Sequence, residues 1–213
     1  MSNLIFEERP AEREPAGLLV LHHGRGTSEQ DLLPLADLLD PEQRWHVAAP
    51  RGPLELSGAP GYHWYMVPRV GHPDPETFRS SYAKLAGFHE DLWQRTGVGP
   101  DRTVLGGFSM GTVMSYALGL GPARPEPLGI LAFSGFIPTV QGWSPDLTGN
   151  RATQVFISHG RWDPVISVSY GQEARDCLEG AGYAVDYRES DTDHSIDPQE
   201  LRRAASWLAR TIA

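Results

Sequence analysis

The chain has 213 residues, of which 40% are hydrophobic, and this is enough to bury one substantial core. Its 27 acidic and 18 basic residues give a formal net charge of −9, which repels phosphate backbones and anionic lipid headgroups. The basic residues form no cluster, so we expect no nucleic-acid partner.

The apolar runs of the sequence are too short to cross a membrane, because even Leu18–Leu21 and Ile130–Phe133 fall far short of the roughly 20 residues needed. Residues 1–15 mix glutamates with arginines, unlike an export signal. Cys177 is the single cysteine, so no intramolecular disulfide can form. These features favour a soluble cytoplasmic protein, with Cys177 as a buried small hydrophobe in a helix.

Short strands and helices alternate along the chain. Apolar runs bounded by Gly, Pro or polar residues predict strands at Leu18–His22, Trp45–Ala49, Thr103–Leu105, Leu128–Phe133, Gln154–Ser158 and Ala184–Arg188. Amphipathic segments predict helices at Leu32–Leu39, Glu76–Arg95, Met110–Leu120, Val168–Gly180 and Gln199–Ile212. Alternation requires crossover connections, so we expect one α/β domain over residues 1–213, with a mostly parallel central sheet and helices on both faces.

Two long segments do not fit this alternation. Residues 50–75 are rich in proline and glycine, and residues 135–150 carry Phe136, Ile137 and Trp143. Irregular connections of this length often line a site. The bulky residues of both segments predict an apolar acyl pocket, a dimer contact or ordinary core packing.

The sequence Gly-Phe-Ser-Met-Gly at 107–111 matches the nucleophile elbow, G-x-S-x-G, and lies between a predicted strand and a predicted helix. The turn is so tight that the flanking residues must lack a side chain, which explains Gly107 and Gly111. This geometry raises the Ser109 hydroxyl above the sheet. It also leaves the N–H of Met110 at a helix start, where it can face an oxyanion.

A serine nucleophile needs a histidine base and a carboxylate that orients the base, in the chain order Ser, Asp, His. Asp163 follows one predicted strand and His194 follows the next, so both belong at the same sheet edge as Ser109. Asp191 and Asp193 are alternatives for the acid, but sequence neighbours of a histidine rarely point at it. Asp197 precedes a proline and a helix and is typical of an N-cap.

The remaining residues of interest support this site or lie outside it. The backbone N–H of Arg25, in the loop after the first predicted strand, is the candidate for the second oxyanion donor. Its side chain could equally meet an anionic substrate group or remain in solvent. Four histidines are interpreted as surface or packing residues: His63, His72, His89 and His159. Their spacing is unlike a structural zinc site, and we expect neither metal nor cofactor.

Several motifs recur in one order over nearly the whole chain: LHHGRGT, VAAPRGP, YHWY, GGFSMGT, AFSGFIP, HGRWDPVI and DTDHSI. Together they resemble the phospholipase/carboxylesterase branch of the α/β-hydrolases, which includes small bacterial carboxylesterases and acyl-protein thioesterases. The resemblance implies an α/β-hydrolase fold without a large lid domain, and an open site. It implies a catalytic triad and an oxyanion hole formed by these residues: Ser109, Asp163, His194, and the N–H groups of Arg25 and Met110.

The resemblance also places Trp64 beside the acyl pocket, as a substrate contact. The chain departs from the family pattern at two positions, with Met110 where many members have Gln and Asp193 where Gly is usual. Only the backbone of residue 110 donates, so we expect the chemistry to survive the first change. The second change affects the geometry of the loop that carries His194.

These patterns predict a carboxylesterase that cleaves small or acyl esters through an acyl-enzyme intermediate. A lysophospholipase or an acyl-protein thioesterase is the alternative within the enzymes, so the partner is a small ester or thioester. A non-catalytic binding protein on the same scaffold is the alternative from another class. A homodimer is compatible with the apolar loops.

Overall fold

A seven-stranded sheet forms the centre of the protein in the computed structural model, which describes residues 4–148 and 152–212. The strands are β1 (Phe6–Arg9), β2 (Gly17–His22), β3 (Trp45–Pro50), β4 (Leu54–Glu55), β5 (Tyr62–His63), β6 (Thr103–Phe108), β7 (Gly129–Phe133), β8 (Gln154–Gly160) and β9 (Ala184–Ser190). The seven strands of the central sheet lie in the order β1-β3-β2-β6-β7-β8-β9, and β4 and β5 form a separate two-stranded sheet. Among the described strands of this seven-stranded sheet, β1 alone pairs antiparallel, so the predicted mostly parallel sheet is confirmed.

Helices cover both faces of the sheet. They are α1 (Glu29–Leu39), α2 (Pro75–Thr96), α3 (Met110–Gly119), α4 (Val168–Gly180) and α5 (Pro198–Arg210). Side chains alternate across a strand, so Leu18 and Val20 of β2 pack in the cluster with α2 and α3, while Leu19 and Leu21 pack with α1 and α5. Both faces of the central strands are therefore buried, which explains their continuous apolar runs.

Two parts of the sheet structure were not predicted. β1 contains three charged residues and lies at the sheet edge, paired antiparallel with β3. Charged edge strands lack the apolar signal of central strands, so sequence patterning misses them. Residues 50–75 are not wholly irregular, because β4 and β5 pair as a short hairpin within them. Residues 149–150, part of the second predicted loop, lie outside the described residues.

The interpretation of Cys177 as a buried residue is wrong, because its side chain is exposed. Helix α4 buries a narrow face formed by Gly171, Ala174 and Leu178, and Cys177 falls beside that face. The prediction that Asp197 caps a helix is confirmed, since its carboxylate accepts the N–H groups of Gln199 and Glu200 at the start of α5. Across the described residues, no helix is both long and apolar enough to cross a membrane.

Candidate active site

Ser109 lies at the turn between β6 and α3, in a strained backbone conformation with φ 56° and ψ −118°. Neighbouring backbone leaves no room for side chains here. A Cβ added to Gly107 would lie 2.4 Å from the carbonyl carbon of Gly111, and one added to Gly111 would lie 1.9 Å from the carbonyl oxygen of His22. The glycines of the motif are therefore required by the close approach of β2, β6 and α3.

The structure brings three predicted residues together. His194, in the loop between β9 and α5, lies with Nε2 2.9 Å from the hydroxyl oxygen of Ser109. Its Nδ1 lies 2.6 Å from Oδ2 of Asp163, which follows β8. Because a carboxylate can only accept, Nδ1 carries the proton and Nε2 is left to accept the serine O–H. The three side chains form one hydrogen-bonded line.

The carboxylate of Asp163 is fully buried and held from two sides. Its Oδ1 accepts the backbone N–H groups of Val165 and Ile166, both at 2.8 Å. Asp191, one of the alternatives, points away and forms an ion pair with Arg161, with a side chain that is 75% exposed. Asp193 is also exposed. The acid that reaches the imidazole is thus Asp163.

His159 lies next to Asp163, a position that the sequence analysis did not predict. It is buried, its Nε2–H donates to the carbonyl of Ile166 at 2.8 Å, and the same nitrogen lies 3.5 Å from Oδ2 of Asp163. Burial lowers the pKa of His159, so the ring is neutral and orients the Asp163 turn without competing for its charge. Its position at the end of β8, four residues before Asp163, was the available signal.

The loop after β2 is held by His23. The ring is buried, its Nε2 accepts the N–H of Gly52 at 2.8 Å, and Nδ1 therefore donates to the carbonyl of Gly24 at 2.7 Å. Burial lowers the pKa of His23, which keeps this neutral form. These bonds fix the backbone that leads to Arg25. Met110 begins α3, where the first N–H groups have no intrahelical partner and can meet an oxyanion.

The structure corrects the expected role of Trp64. Its side chain is 0% exposed and does not line the cavity next to Ser109. The indole Nε1–H donates to the carbonyl of His23 at 2.9 Å, and the ring packs against the His23 ring. A fully buried indole presents no surface to a substrate. Trp64 instead supports the loop that carries Arg25.

A cavity of about 360 Å³ opens beside Ser109. Both long segments predicted to line a site contribute to it, and the lining residues are Arg25, His63, Tyr65, Met66, Val67, Arg69, Val70, Ser109, Met110, Phe136, Val165 and Ile166. A larger groove of about 780 Å³ lies elsewhere, along α2, and contains none of the three residues of the hydrogen-bonded line. In the described part of the chain, no group of His, Cys, Asp and Glu residues could hold a metal ion.

Comparison with known proteins identifies the family. Residues 6–212 match the phospholipase/carboxylesterase family. The chain belongs to this family. Acyl-protein thioesterase 1 of Yarrowia lipolytica is 28% identical over 95% of each chain, and esterase YpfH of Escherichia coli is 29% identical over 96% of this chain and 85% of its own. The crystal structure of esterase PE8 superimposes with a TM-score of 0.84 at 30% identity, covering 98% of this chain and 99% of that chain.

Membership of the phospholipase/carboxylesterase family makes the chain a hydrolase with the α/β-hydrolase fold, as its sequence motifs predict. No large lid covers the site within residues 4–148 and 152–212. Met110, which stands where many family members have Gln, makes a contact that a Gln side chain can also make. Its sulfur accepts the backbone N–H of Trp64 at 3.3 Å, and a Gln oxygen at the same place is able to accept that bond.

Behind the elbow, this family member carries a buried chain of polar side chains. Ser115 donates its hydroxyl to the carbonyl of Gly111 at 3.0 Å, so its oxygen accepts from Nδ1 of His22 at 2.8 Å. Nε2 of His22 then accepts from Nε2 of His89 at 3.3 Å. Both imidazoles are fully buried and neutral. Burial lowers the pKa of His22 to about 3 and that of His89 well below its usual value.

We expect this buried pair to make the fold sensitive to acid. A depressed folded-state pKa means that the unfolded chain binds the proton first, so stability is complete above about pH 6.5 and falls as the pH drops toward 3. His22 alone accounts for a loss of about 3 kcal/mol by pH 4. Urea unfolding at pH 7, 5.5 and 4 measures the loss, and His22→Asn should give a flatter pH dependence. Parallel curves for the two proteins would contradict this account.

Proposed function

We propose that this chain is a carboxylesterase that cleaves esters of small or acyl substrates, with Ser109 as nucleophile, His194 as general base and acid, and Asp163 as the orienting carboxylate. The observation that carries the proposal is the hydrogen-bonded line from Asp163 Oδ2 through His194 to the Ser109 hydroxyl, with contacts of 2.6 and 2.9 Å. The proposal takes residues 1–213 as a single α/β-hydrolase domain. The predicted cytoplasmic location and homodimer stay predictions.

The reaction follows from this geometry. His194 Nε2 takes the proton of Ser109 as its oxygen attacks the ester carbonyl, and the backbone N–H groups of Arg25 and Met110 bind the resulting oxyanion. His194 then protonates the leaving alcohol, which departs and leaves an acyl-serine. Water then attacks the acyl carbon while His194 takes its proton, and His194 returns that proton to the Ser109 oxygen as the bond to the acyl carbon breaks and the carboxylic acid leaves. No step requires a cofactor.

A thioesterase activity at the same site is the second candidate. It is favoured by the likeness to acyl-protein thioesterase 1 over nearly the full chain. A thiolate leaves where an alcohol does, so the same residues can serve both reactions. Paired acyl esters and thioesters of graded chain length decide between them by kcat/KM. The acyl length at which kcat/KM falls reports the reach of the cavity walls formed by Phe136 and Val70.

A fluorophosphonate probe tests whether the site is catalytic at all. An activated serine attacks phosphorus, so we expect the probe to label the wild-type chain on Ser109 and to leave Ser109→Ala unlabelled. Ser195 is an exposed serine next to His194 and provides the matched control. Ser195→Ala should label like the wild type. An unlabelled wild-type protein would favour the non-catalytic binding protein, and label retained in Ser109→Ala would mean that the reactive nucleophile is a residue other than Ser109.

A further inference from the structure

Two arginines line the cavity beside Ser109. Arg25 comes from the loop after β2, and Arg69 comes from the segment between β5 and α2. Both side chains are exposed, and the apolar part of the wall is formed by other residues: Met66, Val67, Val70, Phe136, Val165 and Ile166. The cavity thus combines apolar walls with two positive charges supplied from different loops.

The charge of this cavity is opposite to that of the chain. The formal net charge is −9, yet no aspartate or glutamate is among the residues that line the cavity. Other arginines of the chain pair with carboxylates: Arg51 with Glu29, Arg95 with Glu8, and Arg161 with Glu189 and Asp191. Within the described residues, no such ion pair involves Arg25 or Arg69, so their charges remain available to a ligand.

We propose that Arg25 and Arg69 select ester substrates that carry a carboxylate on a short apolar spacer. This inference rests on the proposed esterase function and names the substrate class of that site. The guanidinium fork matches a carboxylate, while the apolar walls accept the spacer. Because the backbone of Arg25 belongs to the proposed oxyanion hole, its side chain begins beside the reacting carbonyl.

The expected effect is moderate, because both arginines are exposed. Exposed ion pairs are weakened by solvent and salt, and each pair changes an equilibrium by about two- to five-fold. Two arginines acting on one carboxylate should therefore raise the kcat/KM of a charged ester over that of a matched neutral ester by about ten-fold at low ionic strength. Salt should reduce this preference.

Matched substrate pairs test the proposal on the intact chain. On the acyl side, para-nitrophenyl hydrogen adipate is compared with para-nitrophenyl hexanoate, which has the same number of acyl carbons. On the alcohol side, para-carboxyphenyl acetate is compared with its methyl ester. The measured quantity is the ratio of kcat/KM, charged over neutral, and the pair with the higher ratio shows on which side the carboxylate binds. The ratio cancels any loss of turnover that both esters share.

The variants are Arg25→Gln, Arg69→Gln and the double substitution, with Arg202→Gln as control. Arg202 is an exposed arginine on α5, away from the cavity, and its removal changes the net charge equally. We expect each single variant to lower the ratio by about two- to five-fold and the double variant to abolish the preference, while Arg202→Gln leaves it unchanged.

Two outcomes overturn the inference. One is a wild-type ratio near one for both substrate pairs, and the other is a preference that survives in the double variant. Either result leaves the proposed esterase intact if Ser109→Ala loses hydrolysis of the neutral esters. If Ser109→Ala keeps that hydrolysis, the proposed function itself is wrong.

Discussion

Replacing Ser109 by alanine is expected to lower kcat for a short-chain aryl ester by about 10⁶-fold. The substitution removes the only oxygen that His194 Nε2 contacts in the hydrogen-bonded line, so no acyl-enzyme can form. Residual turnover comes from the backbone donors and substrate binding alone, and should still exceed the uncatalysed rate by about 10³–10⁴-fold. Hydrolysis followed over long incubation times with high concentrations of the purified variant measures this residual rate.

Folding of the variant must be checked separately. Alanine fits the position of Ser109 without new contacts, and the positive φ of 56° strains both residues. The urea unfolding midpoint should therefore match that of the wild type to within a small shift. A correctly folded Ser109→Ala protein that keeps more than a tenth of wild-type kcat would exclude Ser109 as the nucleophile.

Asp163→Asn is expected to lower kcat by about 10⁴-fold, for a reason that the structure makes specific. The Oδ1 atom of Asp163 accepts hydrogen bonds from the backbone N–H groups of Val165 and Ile166. The amide oxygen of an asparagine must therefore occupy the same place. The amide NH₂ then faces Nδ1 of His194, which has to accept. The histidine proton moves to Nε2, and the ring can no longer take the proton of Ser109.

Asp191→Asn is the matched control for this substitution. Asp191 lies in the same loop as His194 but is exposed and paired with Arg161, so its replacement should change kcat by less than about two-fold. Nuclear magnetic resonance of the His194 ring in Asp163→Asn reports the shifted proton directly. Equal effects of the two substitutions on kcat would contradict the assignment of Asp163 as the orienting acid.

Local steric rules explain what could be predicted from the sequence. Gly107 and Gly111 are required by contacts within a few residues of the turn, so their spacing indicates the elbow without tertiary information. The strands before Ser109 and Asp163, β6 and β8, are buried along nearly their whole length, and their apolar runs predict that both residues lie at the same edge of the sheet. His194 follows β9, which is half-exposed, and its place at that edge is predicted from the alternation of strands and helices. Fold class and the candidate site were therefore accessible from pattern.

Features that depend on distant packing could not be predicted. Trp64 occupies the core because α2 and the loop after β2 enclose it, and nothing in the YHWY stretch indicates that its indole faces inward. The sequence places His159 four residues before Asp163, but only the fold of the intervening turn brings its ring to within 3.5 Å of the Asp163 carboxylate. The pairing of β4 with β5 within a proline-rich segment likewise arises from contacts between residues far apart along the loop.

The position of β9 has a consequence for how the protein loses activity. β9 is the last strand of the sheet and, among the described strands, is hydrogen-bonded only to β8; the segment that carries His194 follows it. Border strands detach more readily than central ones. Local unfolding of β9 would move the His194 imidazole away from Ser109, while β2 and β6 keep the turn that carries Ser109 intact. Inactivation by heat or urea should therefore precede the loss of the tryptophan signal from the interior.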